Sequence, residues 1–234
     1  MGRPTTTRRW LVLLGSLAIC GPTPGRMASG DPGAGDGPAA AVASEGRLEA
    51  IMGDLARAGC VRARFRETRH FSLLTSPLET EGVLYFAPPD RLARYTTRPG
   101  TSSIVVRDGR VILRDETGSQ ALEIGSSEIA RHLVDHLSVL LRGDAAALRT
   151  RYAVAVREIA SGWEIRLEPS AGTFRSIVES IRVEGRRGEL TGMELVEVGG
   201  DRTITAFSEV QRGIACGPAE LDRFFPLAGA DAAP

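Results

Sequence analysis

Lysine is absent from all 234 residues, so every one of the 29 basic side chains is an arginine, which reads as a bias of base composition and not as a function. The same number of acidic residues leaves no net charge, and nothing in the charge balance draws the chain towards nucleic acid or an acidic partner. Histidine and cysteine are scarce, three of each, and aromatics make up 5% of the chain. No apolar run is long enough to span a bilayer; the longest is Trp10–Cys20. No serine sits in a sharp Gly-flanked elbow, and no Cys–His pair has an orienting group. Gly33-Ala34-Gly35-Asp36-Gly37 is not a nucleotide loop, because no strand precedes it and no amphipathic helix follows in place. The sequence therefore shows no catalytic constellation, although catalytic groups meet in space and not along the chain.

What is present begins with export. Arg8-Arg9 followed by Trp10–Cys20 has the charged and apolar regions of a signal peptide, expected over residues 1–25. Thr7-Arg8-Arg9-Trp10-Leu11 matches a twin-arginine signal in part. Leu17-Ala18-Ile19-Cys20 matches a lipoprotein cleavage box except at Ile19, which leaves a lipid anchor at Cys20 as the alternative to ordinary cleavage. Either outcome places the mature chain outside the cytoplasm. Residues 26–43, rich in Gly, Pro and Ala without periodicity, read as a flexible linker. Ser44 is placed to cap a helix whose Leu48, Ile51, Met52 and Leu55 recur on one face, with Gly59 ending it.

From Val61 the period becomes two: Val61, Ala63 and Phe65 alternate with Arg62, Arg64 and Arg66, a row that reads as a solvated outer face. The clearest local signal is Ile104–Leu113, where two apolar runs flank Asp108-Gly109. That pair favours a two-residue type I′ hairpin, with Arg107 opposite Arg110 and Ile104 opposite Leu113. This register puts Ile104, Val106, Val111 and Leu113 on one wholly apolar face, and Arg107, Arg110 and Arg114 on the other around Val105 and Ile112. Ser119–Ile124 adds a sixth strand. Ser126 or Ser127 then caps a second helix striped with Ile129, Leu133, Leu137, Leu140 and Leu141.

Beyond that helix, Tyr152, Val154 and Val156 alternate with polar or small residues, and Trp163, Ile165 and Leu167 alternate with Glu164, Arg166 and Glu168, giving an antiparallel pair. Ile177, Ile181 and Val183 mark a ninth strand in which Glu179 falls on the apolar face unless a bulge intervenes. Strands near Leu190–Val198 and Thr203–Val210 follow, and residues 212–234 read as a loosely ordered tail. Cys60 and Cys216 are the two cysteines left if Cys20 is removed; they could bridge the first helix to the tail, which sequence alone does not settle.

The order Gly82, Leu84, Tyr85, Pro89, Tyr95, Pro99 and Ile104–Gly109, followed by GDAAALRTRYAVAV, WEIRLEP and GGDRTITAF, resembles the LolA family of periplasmic lipoprotein carriers, and within it the relatives that accompany lipid or aryl-polyene export systems. One position departs: the carriers have an arginine where this chain has Pro88, which offers neither charge nor N–H. The resemblance spans residues 44–211 and implies an α+β fold: a curved antiparallel half-barrel of about eleven strands, with an N-terminal helix and mid-chain lid helices. It implies a carrier that shields the acyl chains of a lipid, lipoprotein or polyene cargo on the way to the outer membrane. The implied partners are that cargo, an inner-membrane exporter and an outer-membrane acceptor. Neither a cofactor nor a nucleic acid is implied, and the chain is expected to be a monomer.

The cavity is then expected to be lined from the sheet by Leu84, Phe86, Leu92, Tyr95, Ile104, Val106, Val111 and Leu113. Leu133, Leu137, Leu140 and Leu141 would line it from the lid, and Trp163, Ile165 and Leu167 from the second half of the sheet. Two other classes stay open: a periplasmic sensor or scaffolding module on the same half-barrel, and an enzyme on a lipid or polyketide with His132, His136 or Glu179 as acid or base.

His132, Asp135 and His136 share one side of the mid-chain helix, a spacing that can chelate zinc, yet His70 is the only other histidine and a closed site needs further ligands. The native protein is expected to hold no stoichiometric zinc by elemental analysis. Zinc that disappears in a His132→Ala/His136→Ala double variant would overturn this.

Overall fold

The computed structural model describes residues 38–123, 139–140 and 142–227. Helix α1 (Pro38–Ala56) leads into six strands: β1 (Val61–His70), β2 (Leu78–Ala87), β3 (Arg91–Arg98), β4 (Ser102–Arg107), β5 (Arg110–Asp115) and β6 (Gly118–Glu123). A short helix α2 (Ala145–Arg151) precedes five more: β7 (Tyr152–Ile159), β8 (Gly162–Pro169), β9 (Val178–Arg186), β10 (Glu189–Glu197) and β11 (Arg202–Arg212). Helix α3 (Pro218–Phe224) ends the described chain. All eleven strands form one antiparallel sheet in the order β6-β5-β4-β3-β2-β1-β11-β10-β9-β8-β7, open at β6 and β7. The expected α+β half-barrel is the fold observed, and its two halves join where the first strand pairs with the last.

Following the register across the sheet separates its faces. Val156, Ile165, Val183, Met193, Thr205, Glu67 and Thr80 are successive cross-strand partners and share the inner face, the one carrying α1. Leu48, Ile51, Met52 and Leu55 of α1 are buried against Trp163, Ile165, Leu167, Ile181 and Val183, with Val139, Leu140 and Leu148 completing the cluster. The helix begins at Pro38, not after Ser44. Ala39, Ala40 and Ala41 are strong helix formers behind a proline at the first position, so the helix takes in the end of the expected linker. In β9 the register steps from Val196↔Ser180 to Glu197↔Val178. This bulge ejects Glu179 to solvent and brings Val178 onto the apolar face with Ile181 and Val183.

The Asp108-Gly109 hairpin has the predicted register, with φ of 52° and 75° at its two central residues as a type I′ turn requires. Val106, Val111 and Leu113 are buried on the inner face beside Phe65, Leu84, Phe86 and Leu92. Gly82 permits this packing: a Cβ there would lie 1.9 Å from the Tyr95 carbonyl oxygen and 2.8 Å from the Phe65 ring.

Two expectations about the outer face are corrected. Val105 and Ile112 are as deeply buried as the inner residues, and the tail that covers them is packed, not loose. Ile214, Cys216, Leu221, Phe224 and Phe225 lie over Val83, Tyr85, Ala93, Tyr95, Val105 and Ile112. Tyr95 therefore belongs to the outer face, because β3 places it opposite Val83 and not Leu84. Its hydroxyl donates to the Phe224 carbonyl at 2.9 Å, and Phe224 stacks on Tyr85 with ring centroids 4.4 Å apart. Arg107 donates to Asp222 at 2.9 Å and to the Phe225 carbonyl at 3.0 Å. Cys60 and Cys216 form a disulfide, which ties the tail to the start of β1 and not to α1 itself. Elsewhere the outer face carries ion pairs. Arg64 meets Glu209 and Arg66 meets Glu81, while Arg157–Glu164–Arg182–Glu194–Arg202 runs from β7 to β11 as an alternating ladder. The arginine row of β1 is thus largely neutralised in place, as a solvated face requires.

The disulfide and Tyr95 hold the tail by separable means. Cys216→Ser is expected to lower stability by about 2–4 kcal/mol in denaturant melts, since the bridge closes a loop of 156 residues. Burial pushes the Tyr95 phenol up to about 12 from 10. Its stabilising effect is complete below the unfolded value and is lost as pH rises towards the folded one. Melting temperatures should therefore fall between about pH 10 and 12, and the fall should be shallower in Tyr95→Phe. Equal alkaline profiles in the two proteins would show that Tyr95 does not anchor the tail.

Candidate functional site

Helix α1 covers the β7–β10 half of the inner face and stops at Ala56, short of the seam between β1 and β11. Beyond its end lies an apolar cleft of about 540 Å³, counting the space open to solvent at its mouth. Leu55, Ala58, Ala63, Leu84 and Phe86 form a buried floor, and Val61, Leu190, Phe207 and Val210 a half-buried rim. Glu189 and Arg212 are the two charged residues on the lining.

The β1–β11 pairing opens this cleft through an irregularity. Arg62 pairs with Gln211 but Arg64 with Ser208, so β11 has an extra residue opposite Ala63, and Glu209 takes a φ of 50° there. The bulge brings both Phe207 and Val210 to the cleft, a spacing of three that a regular strand cannot place on one face.

The mouth is fixed by Arg212. Its guanidinium Nη2 donates to the Asp54 carbonyl at 3.1 Å, and its Nη1 to the Arg187 carbonyl at 3.3 Å. Asp54 lies in the last turn of α1, where carbonyls lack helical partners and the helix end carries partial negative charge. Further along the same inner face, apolar character gives way to a charged belt. Arg94 donates to Glu67 at 3.0 Å and to Thr80 at 3.2 Å, its guanidinium 4.4 Å from the Phe65 ring centroid. Thr205 donates to Glu67, and Arg69 pairs with Glu197 at 3.6 Å. Burial pushes the Glu197 carboxyl above its ordinary range, with Arg69 opposing the shift and Asp201 adding to it. Charges this enclosed persist because each meets a counter-charge.

Of the residues expected to line a cavity, Leu84 and Phe86 line this cleft. Leu92, Val106, Val111 and Leu113 are buried next to it on the same face, with Ile104 half-buried. Trp163, Ile165, Leu167 and Leu140 are packed in the cluster beneath α1, and Tyr95 lies on the outer face. Leu133, Leu137 and Leu141 fall outside the described residues, as do His132, Asp135 and His136. Among the described residues no three His, Cys, Asp or Glu side chains are grouped to hold a metal. The cleft offers aliphatic and aromatic surface, and that chemistry suits burial of an apolar chain.

Val61 and Ala63 were legible as inner residues from the alternation of β1, and Leu55 from the helix stripe. Phe207 and Val210 were not legible, because their common orientation depends on the bulge.

Comparison with known proteins identifies the family. Residues 38–221 match the model of the family described as outer membrane lipoprotein carrier protein LolA-like. An outer-membrane lipoprotein carrier protein of Pseudomonas entomophila is 25% identical over 83% of this chain and 91% of its own length. The protein of that name from Pseudomonas fluorescens strain Pf0-1 is 26% identical over 65% of this chain and 71% of its own. Among solved structures, a LolA superfamily protein from Nitrosomonas europaea is 7% identical, aligns over 76% of this chain and 96% of its own, and has a TM-score of 0.42. With the family model matching most of its length, the chain belongs to the LolA-like family of outer membrane lipoprotein carrier proteins.

Proposed function

We propose that the protein is a periplasmic carrier that shields an acyl chain of a lipid or lipidated cargo in the cleft between α1 and the β1–β11 seam. The observation that carries this reading is the cleft itself: an open, apolar recess on the inner face of a half-barrel, beside apolar surfaces that α1 and the tail cover. Each CH₂ of cargo transferred from water contributes about 0.8 kcal/mol, so an acyl chain of ordinary length supplies ample driving force. The names of the curated relatives support a carrier over an enzyme, and the cleft lining holds no nucleophile beside a base. On this reading the cargo passes from an inner-membrane exporter to an outer-membrane acceptor.

A binding titration tests the reading. The purified protein should bind a fluorescent fatty acid, and Val210→Trp, which fills the half-buried rim, should weaken binding by about tenfold or more, the order of a lost buried side-chain contact. Val198→Trp, on the exposed turn before β11, should leave it unchanged. Absence of binding in the unaltered protein, or equal affinity in Val210→Trp, would reject the cleft as the cargo site.

A further inference from the structure

The charge at the cleft mouth points to the chemistry of the cargo's head. Arg212 is exposed, lies at the edge of the apolar lining, and makes its two hydrogen bonds to neutral backbone carbonyls, those of Asp54 and Arg187. No carboxylate among the described residues forms an ion pair with it, whereas most arginines of the sheet have one. A guanidinium carries five N–H donors, so these bonds leave donors over. Its position is also built. Gly188, at a φ of 72°, has no side chain, and a Cβ there would sit 3.1 Å from Nη2 of Arg212. The glycine leaves room for the guanidinium beside the β9–β10 turn. That turn adds Arg186 and Arg187, both exposed and without an ion-pair partner among the described residues. Arg212 thus stands at the edge of an apolar cleft in a chain of zero net charge, with Glu189 on the same lining and Asp54 paired to Arg57.

We propose that Arg212 is the head-group contact of the cleft and selects single-chain amphiphiles with an anionic head, a carboxylate or a phosphate, over uncharged ones. This rests on the cleft being the cargo site. An acyl chain on the floor of Leu84, Phe86 and Ala63 would leave its head at the solvent-facing rim, within reach of a cation whose position is already fixed by two bonds. Pre-positioned charge costs little further ordering on binding. The geometry suits Arg better than Lys for a planar carboxylate, while the charge alone suits either.

The test compares cis-parinaric acid with its methyl ester below their aggregation limits at low salt and pH 8, and lysophosphatidic acid with monoacylglycerol as competitors. The unaltered protein should bind the acid about three- to tenfold more tightly than the ester, the range of a partly exposed charge-assisted contact. It should also prefer the phosphate-headed competitor. Arg212→Gln should remove both preferences by bringing the acid down to the affinity of the ester, and Arg212→Lys should keep part of them. Raising salt to about 0.5 M should shrink the preference, since the contact is solvent-facing. Equal binding of acid and ester, or a preference that survives Arg212→Gln, overturns the proposal and leaves the carrier reading standing. Loss of ester binding along with acid binding in Arg212→Gln overturns it too, by showing that Arg212 only straps α1. Failure of the unaltered protein to bind either probe refutes the carrier reading and this inference together.

Discussion

The antiparallel pairing of β1 with β11 is the constraint from which the rest of the architecture follows. It joins strands from opposite ends of the domain, and all other strand pairs are between sequence neighbours. Each half of the sheet is a meander that local turns can build. Only the seam makes them one surface, and it does so at the entropic cost of closing nearly the whole chain. Phe65 meets Phe207 across this seam, and Glu67 meets Thr205. The apolar cleft and the charged belt are therefore both products of one long-range contact. The Cys60–Cys216 bridge stands at the end of the same seam, where Gly213 also donates to the Ala58 carbonyl at 2.9 Å and Ile214 to the Cys60 carbonyl at 3.2 Å.

The two faces meet the demand for burial in different ways. On the β7–β11 half, α1 covers the apolar inner side of β7–β10, while the outer side carries a ladder of alternating charge from β7 to β11. On the β2–β5 half, both sides are apolar and both are buried; the tail with α3 supplies the outer cover. A strand buried on both faces cannot alternate apolar with polar. This explains why Val83–Ala87 and Val105-Val106 are unbroken apolar runs while Trp163–Leu167 alternates. Glu164 is held in the ladder by Arg157, whose hydrogen bonds are the main reason its carboxyl titrates below the ordinary range.

That difference also sets what could be read from residues alone. The hairpin at Asp108-Gly109, the stripe of Leu48, Ile51, Met52 and Leu55, and the bulge at Glu179 were legible, because each is a local conflict or agreement between pattern and period. The order of motifs from Gly82 to Gly109 carried the family and with it the half-barrel. Three features were not legible. Alternation in β3 does not say which of Leu92 and Tyr95 faces the helix, because both sides of that strand are buried. The tail reads as a loosely ordered stretch rich in alanine and proline until Phe224 and Phe225 are seen against Tyr85 and Ile112. The cleft depends on where α1 stops relative to a seam formed by residues far apart in sequence, and on an extra residue in β11.

The placement of the cleft bears on how a cargo would be held. Its floor is sheet, its wall is the end of α1, and that end is pinned: the Asp54 carbonyl accepts from Arg212, and the chain leaving the helix is bonded to Gly213 and bridged through Cys60. A helix so anchored cannot swing from the sheet without breaking the core of Leu48, Met52, Trp163 and Ile165. Losing that much burial would cost several kcal/mol for each large side chain exposed. Cargo entering the open recess meets no such opposition, since it displaces water from Val61, Leu190, Phe207 and Val210, which are only half-buried without it. The structure thus separates a rigid half, where helix and sheet have already used their apolar surface on each other, from a seam where apolar surface is still exposed. Binding at the seam would leave the fold intact, which is what the proposed carrier role requires of it.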